Sequence, residues 1–137
     1  MFQRFIIAFA LIIGLGALNL TATTQPADAK KAALAELSGT FTGLSDHITT
    51  GGVSVVKTKS GYLVILERDF SLDGAPAPTI GFGKDGKFDK ATEFAKLASI
   101  TGLQVYSVPE NVNPADFNEF YIWCADFSVP LGVASLK

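Results

Sequence analysis

The sequence is short of the residues that build redox and metal centres, with one Cys, one His, one Met and one Trp among 137 residues. A single cysteine excludes an internal disulfide, a CxxC redox pair, a multi-cysteine zinc site and a CxxCH haem attachment within one chain. A single histidine excludes any catalytic triad or metal site that needs two. GxSxG, HExxH, Walker and GxGxxG-before-helix motifs are also absent. The candidates that remain for chemistry are Cys124 and His47.

Charge is scarce as well. Charged residues make up 18% of the chain, below the roughly one quarter that is typical of soluble domains. The 13 acidic and 11 basic residues leave a formal charge of −2, which excludes an acidic or basic tail protein and gives no indication of nucleic-acid binding. A chain of this length predicts one domain rather than two.

The N-terminus has the parts of a secretory signal. Arg4 supplies the positive charge, residues 5–20 form an uncharged apolar run, and Ala27-Asp28-Ala29 gives the small-x-small pattern before a cleavage site. The alternative is an uncleaved anchor, but a spanning helix needs about 20 apolar residues, and this run is shorter and contains two glycines. We therefore predict that residues 1–29 are a signal helix, cleaved after Ala29.

The mature domain, residues 30–137, is then periplasmic or secreted, with no membrane span left after cleavage. Export places Cys124 in an oxidising compartment without a partner in its own chain. Such a cysteine is sealed in the core, paired with another molecule, or used in chemistry.

From Gly39 onward the pattern predicts an all-β domain, an antiparallel β-sandwich or barrel-like fold, because short β-prone runs alternate with Gly and Pro turns. Ser60-Gly61 separates two such runs and predicts a hairpin. Further strands are predicted over residues 79–82, 103–108, 117–125 and 127–136.

Other segments carry more specific expectations. Residues 30–37 favour one or two helical turns. Pro76 and Pro78 exclude a central strand, and Pro130 indicates an edge or a bulge. Residues 89–102 fit either a helix or a strand followed by a turn.

Cys124 is either a buried core residue or a reactive thiol. In a strand it shares a face with Phe120 and Ile122, which favours a buried core residue because free cysteine behaves as a small hydrophobe. Asp126, two residues on, would raise the thiol pKa and argues against a thiolate nucleophile. The opposite face of that strand is apolar too, so it is either covered by the N-terminal segment or a docking surface.

His47 lies in a polar turn beside Asp46. It is either a hydrogen-bonded turn residue, or a metal ligand or partner of Cys124. One His and one Cys supply two soft ligands, whereas a tight copper or zinc site normally needs three or four. Carboxylates would have to complete such a site.

The C-terminal string of residues 121–134, YIWCADFSVPLGVA, closely resembles the end of the DM-thirteen domain, which reads roughly IWC-x-x-F-x-V-x-F-G-x-A. Residues 102–109, GLQVYSVP, look like its G-x-Q-x-Y-x-x-P element. Gly39-Thr40-Phe41 followed by His47 and two glycines looks like its opening element. The resemblance covers residues 38–136, and we interpret residues 30–137 as a single DM-thirteen-like domain.

This resemblance implies a small extracellular or periplasmic β-sandwich or barrel-like domain of a family that often accompanies haem- or sugar-binding DOMON domains. It implies electron transfer or a redox relay through the family's cysteine, which is Cys124 here, with His47 as the candidate partner. One alternative is a non-catalytic adhesion or interaction module with a structural cysteine. Another is a metal or haem site at His47 and Cys124. We expect no independent enzymatic activity, an extracytoplasmic redox or DOMON-like protein partner, and no nucleic acid.

The chain departs from the family pattern at two places. Residues 74–78, GAPAP, stand where the family tends to have a Gly-Pro-Asp turn, and they contain no aspartate. Leu131 replaces the usual Phe, which is a packing change. Any role that this aspartate has in the family is therefore not carried over to this chain.

The export prediction is tested by intact mass. Protein recovered from the exported fraction should have a mass that corresponds to a chain beginning at Lys30, because Ala27 and Ala29 meet the small-residue requirement of signal peptidase. Recovery of Met1–Lys137 intact from a membrane fraction would contradict it.

Overall fold

The computed structural model describes residues 35–137. The predicted signal helix, the cleavage site after Ala29 and residues 30–34 lie outside this part. The described residues form eleven β-strands and two 3-10 helices, which confirms the all-β prediction. Their bounds are β1 (Ala35–Gly43), β2 (Thr49–Thr50), β3 (Gly52–Thr58), β4 (Gly61–Leu66), β5 (Ser71–Leu72), β6 (Pro78–Lys84), β7 (Lys87–Phe88), β8 (Ala95–Lys96), β9 (Gln104–Ser107), β10 (Glu119–Cys124) and β11 (Val129–Ser135), with 3-10 helices at Lys90–Thr92 and Pro114–Asp116.

Nine of these strands form one antiparallel sheet in the order β7-β6-β10-β11-β1-β3-β4-β9, with β8 added beside β6. The sheet curls into a half-barrel. The short strands β2 and β5 pair separately. No helix among residues 35–137 is long and apolar enough to cross a bilayer.

Strand β1 joins the two halves of the sheet. Its first part pairs with β3, as in Ser38 opposite Ser54, and its last part pairs with β11, as in Thr42 opposite Val133. Gly39 permits the close approach to β11, because a Cβ at this position would run into the backbone oxygen of Ser135. The chain therefore curls at β1 and encloses its apolar face.

Aromatic rings fill the core on the concave side. Phe82 is fully buried, and its ring centroid lies 5.1 Å from that of Phe120 and 5.6 Å from that of Phe117. Phe41 lies 5.5 Å from Phe70 in an edge-to-face arrangement, a geometry that the ring quadrupole favours. Burial of these rings, together with the aliphatic side chains around them, stabilises the domain.

The second apolar face of β10 is covered by a side chain from β7, which reaches across the intervening strand β6. Phe88 on β7 stacks on Trp123 with centroids 4.3 Å apart and contacts Tyr121 edge-on at 5.6 Å. Gly81 makes room for this cover, since a Cβ there would come within 2.8 Å of the Phe88 ring. Burial and the nearby Glu119 carboxylate raise the pKa of Tyr121 to about 12. The predicted alternation of β10 is confirmed, and this face is packed rather than open.

Local expectations elsewhere are largely confirmed. Strands β3 and β4 form the predicted hairpin. The register of β10 against β11 shifts between Ile122 and Trp123, where Trp123 lies opposite Pro130. This bulge is the irregularity that a proline inside a strand predicts, because proline cannot donate to the ladder.

Two expectations were wrong. Ala35–Leu37 belong to β1 rather than to a helical turn, because pairing with β3 overrides helix propensity. Strand β6 is an interior strand despite Pro78, and Pro78 is tolerated because it is the first residue of the strand.

Of the two alternatives for residues 89–102, the short strand is the one found. This segment holds one 3-10 turn and β8, and Thr92 Oγ1 bonds both backbone groups of Phe82.

A core truncation tests this account. Phe82→Ala should lower the free energy of unfolding by about 3–5 kcal/mol, because it removes a fully buried ring and leaves a cavity. Phe127→Ala is the matched control, since that ring is 70% exposed, and it should change stability by less than about 0.5 kcal/mol. Urea unfolding measures both, and equal losses would contradict the assigned core.

Candidate functional site

Cys124 is the last residue of β10 and is 1% exposed. It shares its face with Phe120 and Ile122, as predicted, and both of these are fully buried. Its Sγ donates a hydrogen bond to the backbone oxygen of Pro76 at 3.2 Å. The thiol therefore lies at the edge of the core and makes its polar contact with a loop.

That loop, residues 73–77, connects β5 to β6 and covers the sulfur. Pro76 and Ala77 are exposed to solvent, so the residue that accepts the thiol hydrogen bond lies at the surface. Ala125 N donates to Ala77 O at 3.2 Å and holds one end of the loop. Gly74 has a φ of +110° and Ala77 a φ of +47°, and the left-handed conformation of Ala77 costs free energy that glycine does not incur.

His47 holds the other end of this loop through Asp73. Its Nδ1 lies 2.8 Å from Asp73 Oδ1, and the second carboxylate oxygen of Asp73 accepts the backbone N–H of Ile48 at 3.1 Å. The Asp73 N–H in turn donates to Ile48 O at 3.0 Å. Asp73 is thus tied to the turn of residues 44–48 by its side chain and its backbone.

The local sequence explains why His47 is oriented this way. Ser45 and Asp46 both adopt positive φ, at 54° and 61°, and His47 N donates to Leu44 O at 3.0 Å. Small polar residues tolerate the left-handed region better than most. The tight turn that follows β1 therefore points the imidazole toward the loop of residues 73–77.

The ion pair changes the titration of Asp73. The hydrogen bond from His47, and after it the N–H of Ile48, hold the pKa of Asp73 below its usual 3.8. A lowered folded-state pKa contributes stability above pH 3.8 that is lost as the pH falls through the folded value. Because the carboxylate is about one-third exposed, solvent screens this contribution.

The two predicted site residues do not bond to each other. Within residues 35–137 His47 is paired with Asp73, and Cys124 with Pro76. No hydrogen bond supports stabilisation of a Cys124 thiolate by His47, which stays a hypothesis. The two residues are linked instead by the loop between Asp73 and Pro76. Asp126 lies in the exposed turn beyond the end of β10, so strand alternation does not place its side chain on the same side of β10 as the Cys124 thiol.

A metal site is not assembled in the described part of the chain. No three His, Cys, Asp or Glu side chains come together among residues 35–137. His47 and Asp73 supply two ligands, and Cys124 bonds elsewhere. The histidine has the carboxylate partner that metal-binding histidines commonly have, but a closed site needs more ligands.

A separate groove of about 460 Å³ lies beside the β3–β4 turn. Its wall includes Lys57, Tyr62 and Glu110, and the Lys57 ammonium lies 5.9 Å from the Tyr62 ring centroid. Its lining residues include neither Cys124 nor His47 nor Asp73. The chemistry-bearing residues and the groove are therefore different parts of the molecule.

Sequence reasoning missed Asp73. It lies 26 residues from His47 along the chain, inside a segment whose Gly and Pro content predicts only a turn. In the sequence the only indication is an aspartate at the start of a Gly/Pro-rich loop. The pairing of this aspartate with His47 becomes visible only in the folded structure.

Comparison with protein families gives a match to the model described as "Electron transfer DM13" over residues 40–136, which is more than half of the chain. No curated protein matches, and neither does any solved structure.

The loop's attachment predicts the accessibility of the thiol. Asp73→Ala should raise the rate at which iodoacetamide alkylates native Cys124 several-fold, because it removes the side-chain contacts to His47 and Ile48 that anchor the loop. Asp69→Ala is the matched control. Asp69 Oδ1 accepts a hydrogen bond of 3.0 Å from the Gly52 N–H, and neither residue belongs to this loop. Mass spectrometry follows the single thiol, and an equal change in both variants would show that the loop does not govern access.

Proposed function

Since this chain belongs to the DM13 family of electron-transfer domains, we propose that electrons pass through Cys124, the only thiol in the chain, in an extracytoplasmic compartment. The observation that carries the proposal is the position of the sulfur. It is buried, yet it bonds to the backbone of one surface loop rather than to a group deep in the core.

A single cysteine can transfer electrons by thiol–disulfide exchange. The Cys124 thiolate attacks a disulfide of an oxidising partner, so that a mixed disulfide forms and the partner's other sulfur leaves as a thiolate. That thiolate takes up the proton that Cys124 lost. One thiolate of a second, reduced dithiol partner then attacks the Cys124 sulfur and releases the first partner as a dithiol. The other thiol of this second partner attacks the new mixed disulfide and releases Cys124. Two electrons have then moved from the second partner to the first.

This chemistry requires that the loop of residues 73–77 open. A sulfur that is 1% exposed cannot meet an in-line attacking or leaving sulfur. The loop is short, three of its five residues are exposed, and it is anchored at Asp73 and Ala77. Local opening at such a segment costs less free energy than global unfolding.

A second candidate is favoured by the same burial. A cysteine that is 1% exposed and belongs to the apolar core fits a non-catalytic adhesion or interaction module whose cysteine is structural. The two candidates differ in whether the native thiol reacts. Binding of a metal or haem at His47 and Cys124 is the less supported alternative, because the two side chains bond to different residues.

Replacement of the thiol decides between them. Native protein incubated with oxidised glutathione should gain one glutathionyl group, and Cys124→Ser should gain none because no other cysteine is present. Serine can still donate to Pro76 O, so the fold should be retained. A poorly hydrogen-bonded hydroxyl would lower the free energy of unfolding by about 1–3 kcal/mol. Cys124→Ala is the second variant, and intact mass gives the readout.

If native wild-type protein gains no glutathionyl group while the urea-unfolded chain does, the cysteine is structural. Unfolding of both variants together with an unreactive native thiol would lead to the same conclusion.

A further inference from the structure

Three loops meet at the end of the half-barrel where Cys124 lies. The turn of residues 44–48 bonds to Asp73, and Ser45 Oγ donates to Pro130 O at 2.6 Å. The loop of residues 73–77 bonds to Cys124 and to Ala125, the first residue of the β10–β11 turn. These three segments, residues 44–48, 73–77 and 125–128, therefore form one surface, the Cys124 face.

The Cys124 face carries the two most exposed large apolar side chains of residues 35–137. Ile48 is 68% exposed and Phe127 is 70% exposed. Ile48 adjoins the Asp73 contact, and Phe127 follows Cys124 by three positions in the turn. Apolar side chains held in water are covered with a gain in free energy when a partner binds.

The same face is acidic. Asp46, Asp73 and Asp126 are all exposed, and residues 44–48, 73–77 and 125–128 contain no Lys or Arg. The whole chain has a formal charge of only −2. Three exposed aspartates without a Lys or Arg therefore make this face more negative than the chain as a whole. His47 is the one basic side chain of the face, and it is engaged with Asp73. Lys96, on the β8 strand beside β6, lies outside the three loops.

We propose that the Cys124 face is the docking surface for a redox protein that presents basic side chains around an apolar centre. The inference rests on the proposed function, because electron exchange through Cys124 requires contact at this face. The aspartates would steer a basic partner to the correct end of the molecule. Ile48 and Phe127 would supply the dehydrated centre of the interface.

The test uses cytochrome c as a basic redox probe. The full chain with Cys124→Ser is labelled with nitrogen-15, and amide spectra are recorded while ferricytochrome c is added at low ionic strength. Line broadening and shifts should be confined to residues 44–48, 73–77 and 125–128. Because the attraction is between exposed charges, binding should weaken strongly at about 0.5 M salt.

Two double variants identify the charges responsible. Asp46→Asn with Asp126→Asn should raise the dissociation constant several-fold, and Asp46 tolerates the change because asparagine also accepts positive φ. Glu110→Gln with Asp116→Asn is the matched control, because it removes the same charge from exposed positions away from the face. Asp73 is left intact because it anchors the loop.

Amide shifts and broadening at residues outside the three loops would overturn the proposed docking surface. An equal loss of affinity in both double variants would do the same. The experiment does not use the thiol, so it separates this inference from the proposed function. Probe binding at the face together with an unreactive native Cys124 would uphold the surface and refute the redox role. Exchange at Cys124 with probe binding elsewhere would do the reverse.

Discussion

Hydrogen bonding along both edges of β1 determines where every other part of this domain lies. One part of the strand pairs with β3 and the other with β11, and Gly39 allows β11 to approach closely. Because β1 ends in the turn that holds His47, and β11 begins beside the end of β10, this pairing brings His47 and Cys124 to the same end of the half-barrel. The loop between β5 and β6 then fills the space between them.

Cys124 belongs to the apolar core, whereas the proposed redox role requires that its sulfur be reached. The sulfur bonds to the loop of residues 73–77 rather than to a strand, so the proposed role needs only this loop to open. Asp73 is exposed and ion-paired, so the loop is fastened by a contact that solvent can compete for.

Local features could be predicted from the sequence, and long-range contacts could not. The hairpin at Ser60-Gly61, the alternation of β10 and the bulge at Pro130 each depend on residues close together in the chain. The ion pair of His47 with Asp73 depends on strand order, which no local pattern encodes. Ala35–Leu37 were misjudged because sheet pairing outweighs helix propensity, and the local pattern of residues 89–102 left helix and strand open until the contacts of Thr92 decided between them. The DM13 resemblance identified the family and its cysteine, but assigned no aspartate to the loop.

In the proposed function Cys124 reacts through local opening of the loop of residues 73–77 and not through unfolding. The urea dependence of its alkylation rate tests this most directly, because the slope of the free energy of opening against urea reports the surface exposed in the reactive state. We predict a rate that is nearly independent of urea at concentrations well below the unfolding transition. A rate that rises steeply throughout, with the slope of global unfolding, would show that Cys124 is reached only in the unfolded chain and would contradict the redox role.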